Sequence, residues 1–123
     1  MALVFNGTTI TTIVFNGTTM TNVYFNGTEV HAPAAVQTAT PSIGAGNYFV
    51  NQWIIPVTNN DASTAVIYAE ENDSTPDINR GNVNSGASVN VTSSQPSFAT
   101  FTMYATAQAS GETLSAVASR TIT

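Results

Sequence analysis

The chain has 123 residues, 42% of them hydrophobic, which suffices for one ordinary domain and a short appendage. Only 7% are charged, against roughly 25% in an average soluble domain, and the net charge is −5. Arg80 and Arg120 are the only basic side chains besides His31, with no lysine, so binding to a phosphate backbone or an anionic membrane surface is excluded.

Cysteine is absent, which removes disulfides and thiolate metal sites. The start, MALVFNGT, has no positively charged region, so no signal peptide is expected. No run approaches the ~18 apolar residues of a membrane span.

The first thirty residues after Ala2 are one ten-residue unit written three times: LVFNGTTITT, IVFNGTTMTN and VYFNGTEVHA. Each unit carries Asn-Gly between β-branched or aromatic residues, a pairing suited to a type I′ two-residue turn. A turn at Asn6-Gly7 pairs Phe5 with Thr8, Val4 with Thr9 and Leu3 with Ile10. A second tight turn at Thr11-Thr12 would pair Ile10 with Ile13 and continue the sheet as a six-stranded antiparallel meander. In that register one face collects Leu3, Phe5, Ile10, Ile13, Phe15, Met20, Val23, Phe25 and Val30, while Val4, Thr9, Val14, Thr19, Tyr24 and Glu29 take the other. The competing reading, with longer strands from Thr8 to Phe15 and Thr18 to Phe25, mixes Thr and large apolar groups on both faces. Isolated small sheets are marginal in water, so the apolar face of residues 1–31 needs a cover. It is the expected assembly interface.

Residues 32–41, small, uncharged and carrying Pro33 and Pro41, read as an extended linker. From Ser42 onward the chain is a series of short strand-like runs without a helical period. Ser42 to Ala45 reads as an edge strand, and Tyr48 to Thr58 as one long strand with Trp53, Ile55 and Val57 on one face. Ala65 to Glu70 follows with Ile67 inward, and Glu71 to Gly86 reads as a long turn region. Ser88 to Thr92 alternates Val89 and Val91 against polar residues. Phe101 to Ala109 sets Phe101, Met103, Ala105, Ala107 and Ala109 opposite Thr102, Tyr104, Thr106 and Gln108. Ser110-Gly111 turns the chain into a last strand, Ser115 to Thr123. Residues 42–123 are therefore expected to form a small antiparallel β-sandwich, with Trp53, Ile55, Val57, Ile67, Val89, Met103 and Val117 in its core.

The runs AVIYAEENDSTPD (65–77), SGASVNVT (85–92) and TMYATAQASGETLSAVAS (102–119) resemble the carboxy-terminal domain type of chitobiase-like proteins. Ile67-Tyr68, Asp73-Ser74-Thr75-Pro76, Tyr104 to Ala107, Gly111 and Ser115 to Ala118 occupy the matching places. The glycine usual after Asp73 is missing. The stretch 58–86 also resembles Ig-like domains in virion proteins of tailed bacteriophages, and VYFNGTEV resembles repeats of phage tail and fibre proteins. These resemblances imply an Ig-like (fibronectin III-like) sandwich and a structural or adhesive role, without catalysis or cofactor. The implied setting is a virion: a tail-tip, fibre or capsid decoration subunit, contacting other virion proteins and self-associating, by preference as a trimer. A host-surface glycan is a further expected partner, and a carbohydrate-binding accessory module of a bacterial surface or secreted protein is the alternative reading.

Chemistry-bearing residues are sparse. His31 is the sole histidine and lies beside Pro33, with the solvated-linker reading ahead of a Ser-His-Asp triad. Glu70, Glu71, Asp73 and Asp77 form an acidic cluster; calcium coordination is weighed against a solvated turn pairing with Arg80, and the absence of a D-x-D-x-D-G pattern favours the turn. Asn72 and Asn90 share the N-x-S/T pattern with the three repeat turns, where turn formation again is the expected role. Trp53, Tyr48 and Tyr104 are candidates for a sugar-stacking platform, against a core position for Trp53.

Overall fold

A computed structural model describes residues 3–5, 8–10, 12–20, 23–25, 28–31 and 35–123; side chains within the repeat are described at 12, 14 and 16–19. The chain divides into two compact units, Met1–Ala35 and Val36–Thr123. All regular structure among the described residues is β.

In the first unit, β1 (Leu3–Phe5) pairs with β2 (Thr8–Ile10), β3 (Ile13–Phe15) with β4 (Thr18–Met20), and β5 (Val23–Phe25) with β6 (Thr28–His31). The registers Leu3–Ile10, Val4–Thr9 and Phe5–Thr8 are those the turn chemistry dictates, and Ile13–Met20, Val14–Thr19 and Phe15–Thr18 repeat them. The second turn shows the cause: Asn16 has φ 50° and Gly17 φ 79°, the left-handed pair that matches the twist of flanking strands.

Two details differ from expectation. Among the described residues each hairpin is a sheet of its own, and no ladder joins β2 to β3 or β4 to β5, so the continuous meander is three separate hairpins. Thr11-Thr12 and Thr21-Asn22 carry no glycine, and a tight turn there lacks the residue that closes Asn16-Gly17. In the third hairpin Val23 pairs with His31 while Tyr24 pairs with Glu29, so Val30 is an extra residue in a bulge and does not face Val23. The expected apolar face concerns side chains of Leu3, Phe5, Ile10, Ile13, Phe15, Met20, Val23, Phe25 and Val30, all outside the described set; Val14 and Thr19, assigned to the opposite face, are exposed.

The second unit is an antiparallel β-sandwich of two sheets. One sheet has the order β12 (Ser88–Ser93), β9 (Gln52–Thr58), β7 (Ser42–Ile43), with β8 (Asn47–Phe49) also on β9. The other runs β11 (Asn79–Val83), β10 (Ala65–Glu71), β13 (Phe101–Ala109), β14 (Ala118–Ile122). All these pairings are antiparallel. Alternation fills the space between the sheets: Trp53, Ile55 and Val57 from β9 meet Ile67 and Ala69 from β10 and Met103, Ala105 and Ala107 from β13. Burial of each large member contributes about 1.5–3 kcal/mol. Small β13 residues leave room for Ile43, Val83, Val91, Phe101 and Ile122 to close the core around them.

β7 and β8 lie along the same side of β9, pairing with its end and its start, and 44–46 interrupts them. A Cβ on Gly46 would fall 2.7 Å from Ile122 Cγ2 and 3.0 Å from Trp53 Cε3, so the backbone itself packs on the core there. Gly44 N donates to the Pro56 carbonyl at 2.8 Å, keeping the interrupted edge attached.

The single strand expected from Tyr48 to Thr58 is instead the β8–β9 hairpin, closed by Val50 (φ 48°) and Asn51 (φ 62°). A β-branched residue in the left-handed region is an outlier costing about 1–3 kcal/mol, offset here by the packing of Tyr48 and Trp53 beneath the turn. The region 71–86 holds β11, which a turn-rich composition concealed. The last strand begins at Ala118, because Ser115 turns inward and its Oγ accepts from Ala107 N at 2.9 Å; Val117, expected in the core, is 48% exposed. Val89 is only partly buried.

Residues 36–41, read as linker, belong to the sandwich unit, while 32–34 lie outside the described residues. Thr113 N donates to the Val36 carbonyl (2.9 Å), Thr38 N to the Thr113 carbonyl (3.0 Å) and Ala109 N to Thr38 Oγ1 (3.0 Å). Buried backbone groups need partners, and this segment supplies them to the end of β13.

Candidate functional site

The acidic cluster does not converge. Asp73 accepts from its own turn, from Thr75 N and Thr75 Oγ1 at 2.8 Å each, which holds its carboxyl below the usual carboxylate range, the backbone N–H contributing most. Glu70 accepts from Asp77 N at 3.4 Å. Glu71 reaches across to the other sheet, accepting from Ser93 Oγ and from Gln95 Nε2 at 3.2 Å, and so ties the start of the 93–101 connection to β10. Arg80, the expected ion-pair partner, donates Nε to the Ala69 carbonyl at 2.9 Å instead. Among the described residues no three His, Cys, Asp or Glu side chains gather in a group able to hold a metal ion. Asn72 is a turn residue (φ 58°) whose Oδ1 accepts from Thr102 N at 3.1 Å. His31 is the last residue of β6, and its side chain lies outside the described set.

A second polar group is structural. Asn59, fully buried, donates Nδ2 to the carbonyls of Ser63 and Val83 at 2.8 Å and accepts from Asp61 N at 2.9 Å. Asp61 accepts from Ala39 N and Ser63 N at 2.9 Å each, and the Ala39 N–H is the largest cause of a carboxyl pKa below the ordinary value. The pair braces three loops at one end of the sandwich.

Trp53 is a core residue and offers no sugar platform. It is 5% exposed, lies edge-on to Tyr48 (5.5 Å between centroids) and to Phe101 (6.0 Å), and donates Nε1 to the Pro96 carbonyl at 3.1 Å.

The outer face of the four-stranded sheet is different. The β10–β13 register sets Val66 opposite Gln108, Tyr68 opposite Thr106 and Glu70 opposite Tyr104. Residues alternate along both strands, so these six side chains cover the face turned away from the core. Two depressions adjoin there, sharing Tyr68 and Gln108. One, of about 190 Å³, is walled by Pro76, Asp77 and Leu114; the other, of about 470 Å³, extends past Val66 to Asn82 and Glu112. Thr106 lies on the floor of the first, 2% exposed, and its Oγ1 has no hydrogen-bond partner. A buried hydroxyl left unpaired costs about 1–3 kcal/mol, so such groups are rare without a reason.

Sequence alternation already separates Tyr104, Thr106 and Gln108 from the core residues of β13. It does not show that Pro76 and Leu114, distant in sequence, rise as walls on either side of Tyr68. No protein-family model, curated protein or solved structure matches the chain. The groove has the make-up of a binding surface: an aromatic side chain, two amides, the hydroxyls of Thr64, Thr106 and Ser110, and one carboxylate in each depression, Asp77 and Glu112.

Proposed function

We propose that the chain is a non-enzymatic structural subunit of a bacteriophage virion, in a tail tip, fibre or capsid decoration. The N-terminal repeat self-associates or anchors, and the Ig-like domain projects outward. The observation that carries this reading is modularity. Three copies of one hairpin, each too small to be stable alone, precede a sandwich with its own closed core. An element that repeats and cannot bury its own apolar residues suits assembly, and a self-sufficient sandwich suits display.

Further support is the low charge with a Thr/Asn/Ser-rich surface, and the resemblance of 58–86 and of VYFNGTEV to phage sequences. Closed symmetry is the usual solution for homo-oligomers, and three-fold packing suits a fibre or decoration subunit. The test is mass spectrometry of purified particles from a host carrying the gene. Peptides of the chain at stoichiometric levels are expected; their absence from particles, with the chain left in the soluble fraction, would refute the reading.

A further inference from the structure

We propose that the groove over β10 and β13 is a binding site for an uncharged saccharide, with Tyr68 as its platform and Gln108, Asn82 and Thr106 as its hydrogen-bonding groups. This goes beyond the virion reading and does not depend on it.

Three observations select this ligand class. First, β10 and β13 are the two central strands, and their backbone groups are engaged in ladders on both sides. A peptide that binds by adding a strand needs a free edge, so recognition on this face must pass through side chains. Second, most side chains present are neutral donors and acceptors around a half-buried phenol ring, with one carboxylate in each depression, Asp77 and Glu112, and no arginine in either. Anionic ligands meet only negative charge there, whereas a pyranose offers an apolar C–H face to the ring and hydroxyls to the amides. Third, two buried side-chain oxygens of the groove are unpaired, Glu112 Oε2 in the larger depression and Thr106 Oγ1 at the floor of the smaller, and a hydroxyl donor satisfies the first while a hydroxyl also satisfies the second. A ligand hydroxyl seated between Tyr68 and Leu114 would give Thr106 the partner the protein does not provide. The combined depressions, about 190 and 470 Å³, are on the scale of small-ligand sites, roughly 300–1,000 Å³.

The experiment is a backbone-amide NMR titration of the 123-residue chain. The uncharged probes are maltohexaose, cellohexaose, chitotetraose and mannohexaose; 3′-sialyllactose and inorganic phosphate are the anionic ones. Each is taken to about 10 mM, above a Kd of roughly 1 mM. At least one uncharged probe is expected to cause saturable shifts centred on Val66, Tyr68, Thr106 and Gln108. Tyr68→Ala and Gln108→Ala should each weaken that binding by about tenfold, and Phe98→Ala, outside the groove, should leave it unchanged. Thr106→Val keeps the shape and removes the hydroxyl; it should weaken binding severalfold while leaving Tm equal or higher, a combination a purely structural hydroxyl would not give. No shift with any uncharged probe, shifts that map elsewhere, or a groove that prefers the anionic probes would each overturn the proposal. None of those results would touch the assembly role of the repeat.

Discussion

The Asn16-Gly17 hairpin and the β8–β9 hairpin close the same two-residue loop with different residues. The first uses the pair that enters the left-handed region without steric cost, and its register follows from the turn alone. The second places Val50 at φ 48°, where its branched side chain opposes the turn, and survives because Tyr48 and Trp53 are locked into a core beneath it. Local chemistry therefore writes the repeat, and long-range packing writes the sandwich. The same contrast separates the units: one is three minimal hairpins, the other a core built from residues up to 79 positions apart, as between Ile43 and Ile122.

Breaking the long-range half should have the largest effect. Ile55 is fully buried at the centre of β9, and Ile55→Ala should cost about 2–5 kcal/mol of sandwich stability, read by denaturant unfolding of residues 36–123. A loss under 1 kcal/mol would mean the core is not packed as described. Moving the start of the fragment from 36 to 42 comes next. It removes Thr38 and Ala39 and leaves Ala109 N and Asp61 with one partner fewer, at about 1–3 kcal/mol for each buried group orphaned. Equal midpoints for the two fragments would show that 36–41 is a linker after all.

Acid should expose the brace at Asp61. Its folded pKa lies below the unfolded value of about 3.9, so its contribution is complete above that value and is lost as pH falls through the folded pKa. Asp73 acts in the same sense. Tm should hold from neutrality to about pH 4.5 and drop in more acidic solution. Asp61→Asn should lower Tm at neutral pH and flatten that acid limb; an unchanged acid limb would remove Asp61 from the account. The smallest effect concerns the turn. Writing Asn-Gly in place of Val50-Asn51 should raise stability by about 1 kcal/mol, because the left-handed strain disappears. A destabilised variant would show that the Val50 side chain contributes packing at the turn.

Particular elements show what could be read without coordinates. The facing of β13 was legible, since apolar and polar residues alternate over its nine positions before a Ser-Gly turn, but the burial of Thr106 on the outer face was not. The registers of the first two hairpins were legible because Asn-Gly admits one pairing, whereas the bulge at Val30 in the third was not. The β8–β9 turn was hidden because Val50-Asn51 lacks glycine and sits in an unbroken run of strand formers. β11 was hidden for the opposite reason: NRGNV is polar and contains a glycine, yet it pairs along β10 through a register shift. In the groove, Tyr68 and Thr106 could be assigned to one face by parity, but the walls come from Pro76 and Leu114, whose positions depend on how two loops fold back.

Assembly through the repeat, with a sandwich that folds and stays monomeric without it, is open to direct measurement. Sedimentation equilibrium of the 123-residue chain beside residues 36–123 tests it directly, with Phe15→Asp in the full chain as the third sample. The full chain should be an oligomer, by preference a trimer, the fragment a folded monomer, and Phe15→Asp a monomer with an intact sandwich. A monomeric full chain, or a fragment that associates as strongly as the whole, would contradict assembly through the repeat.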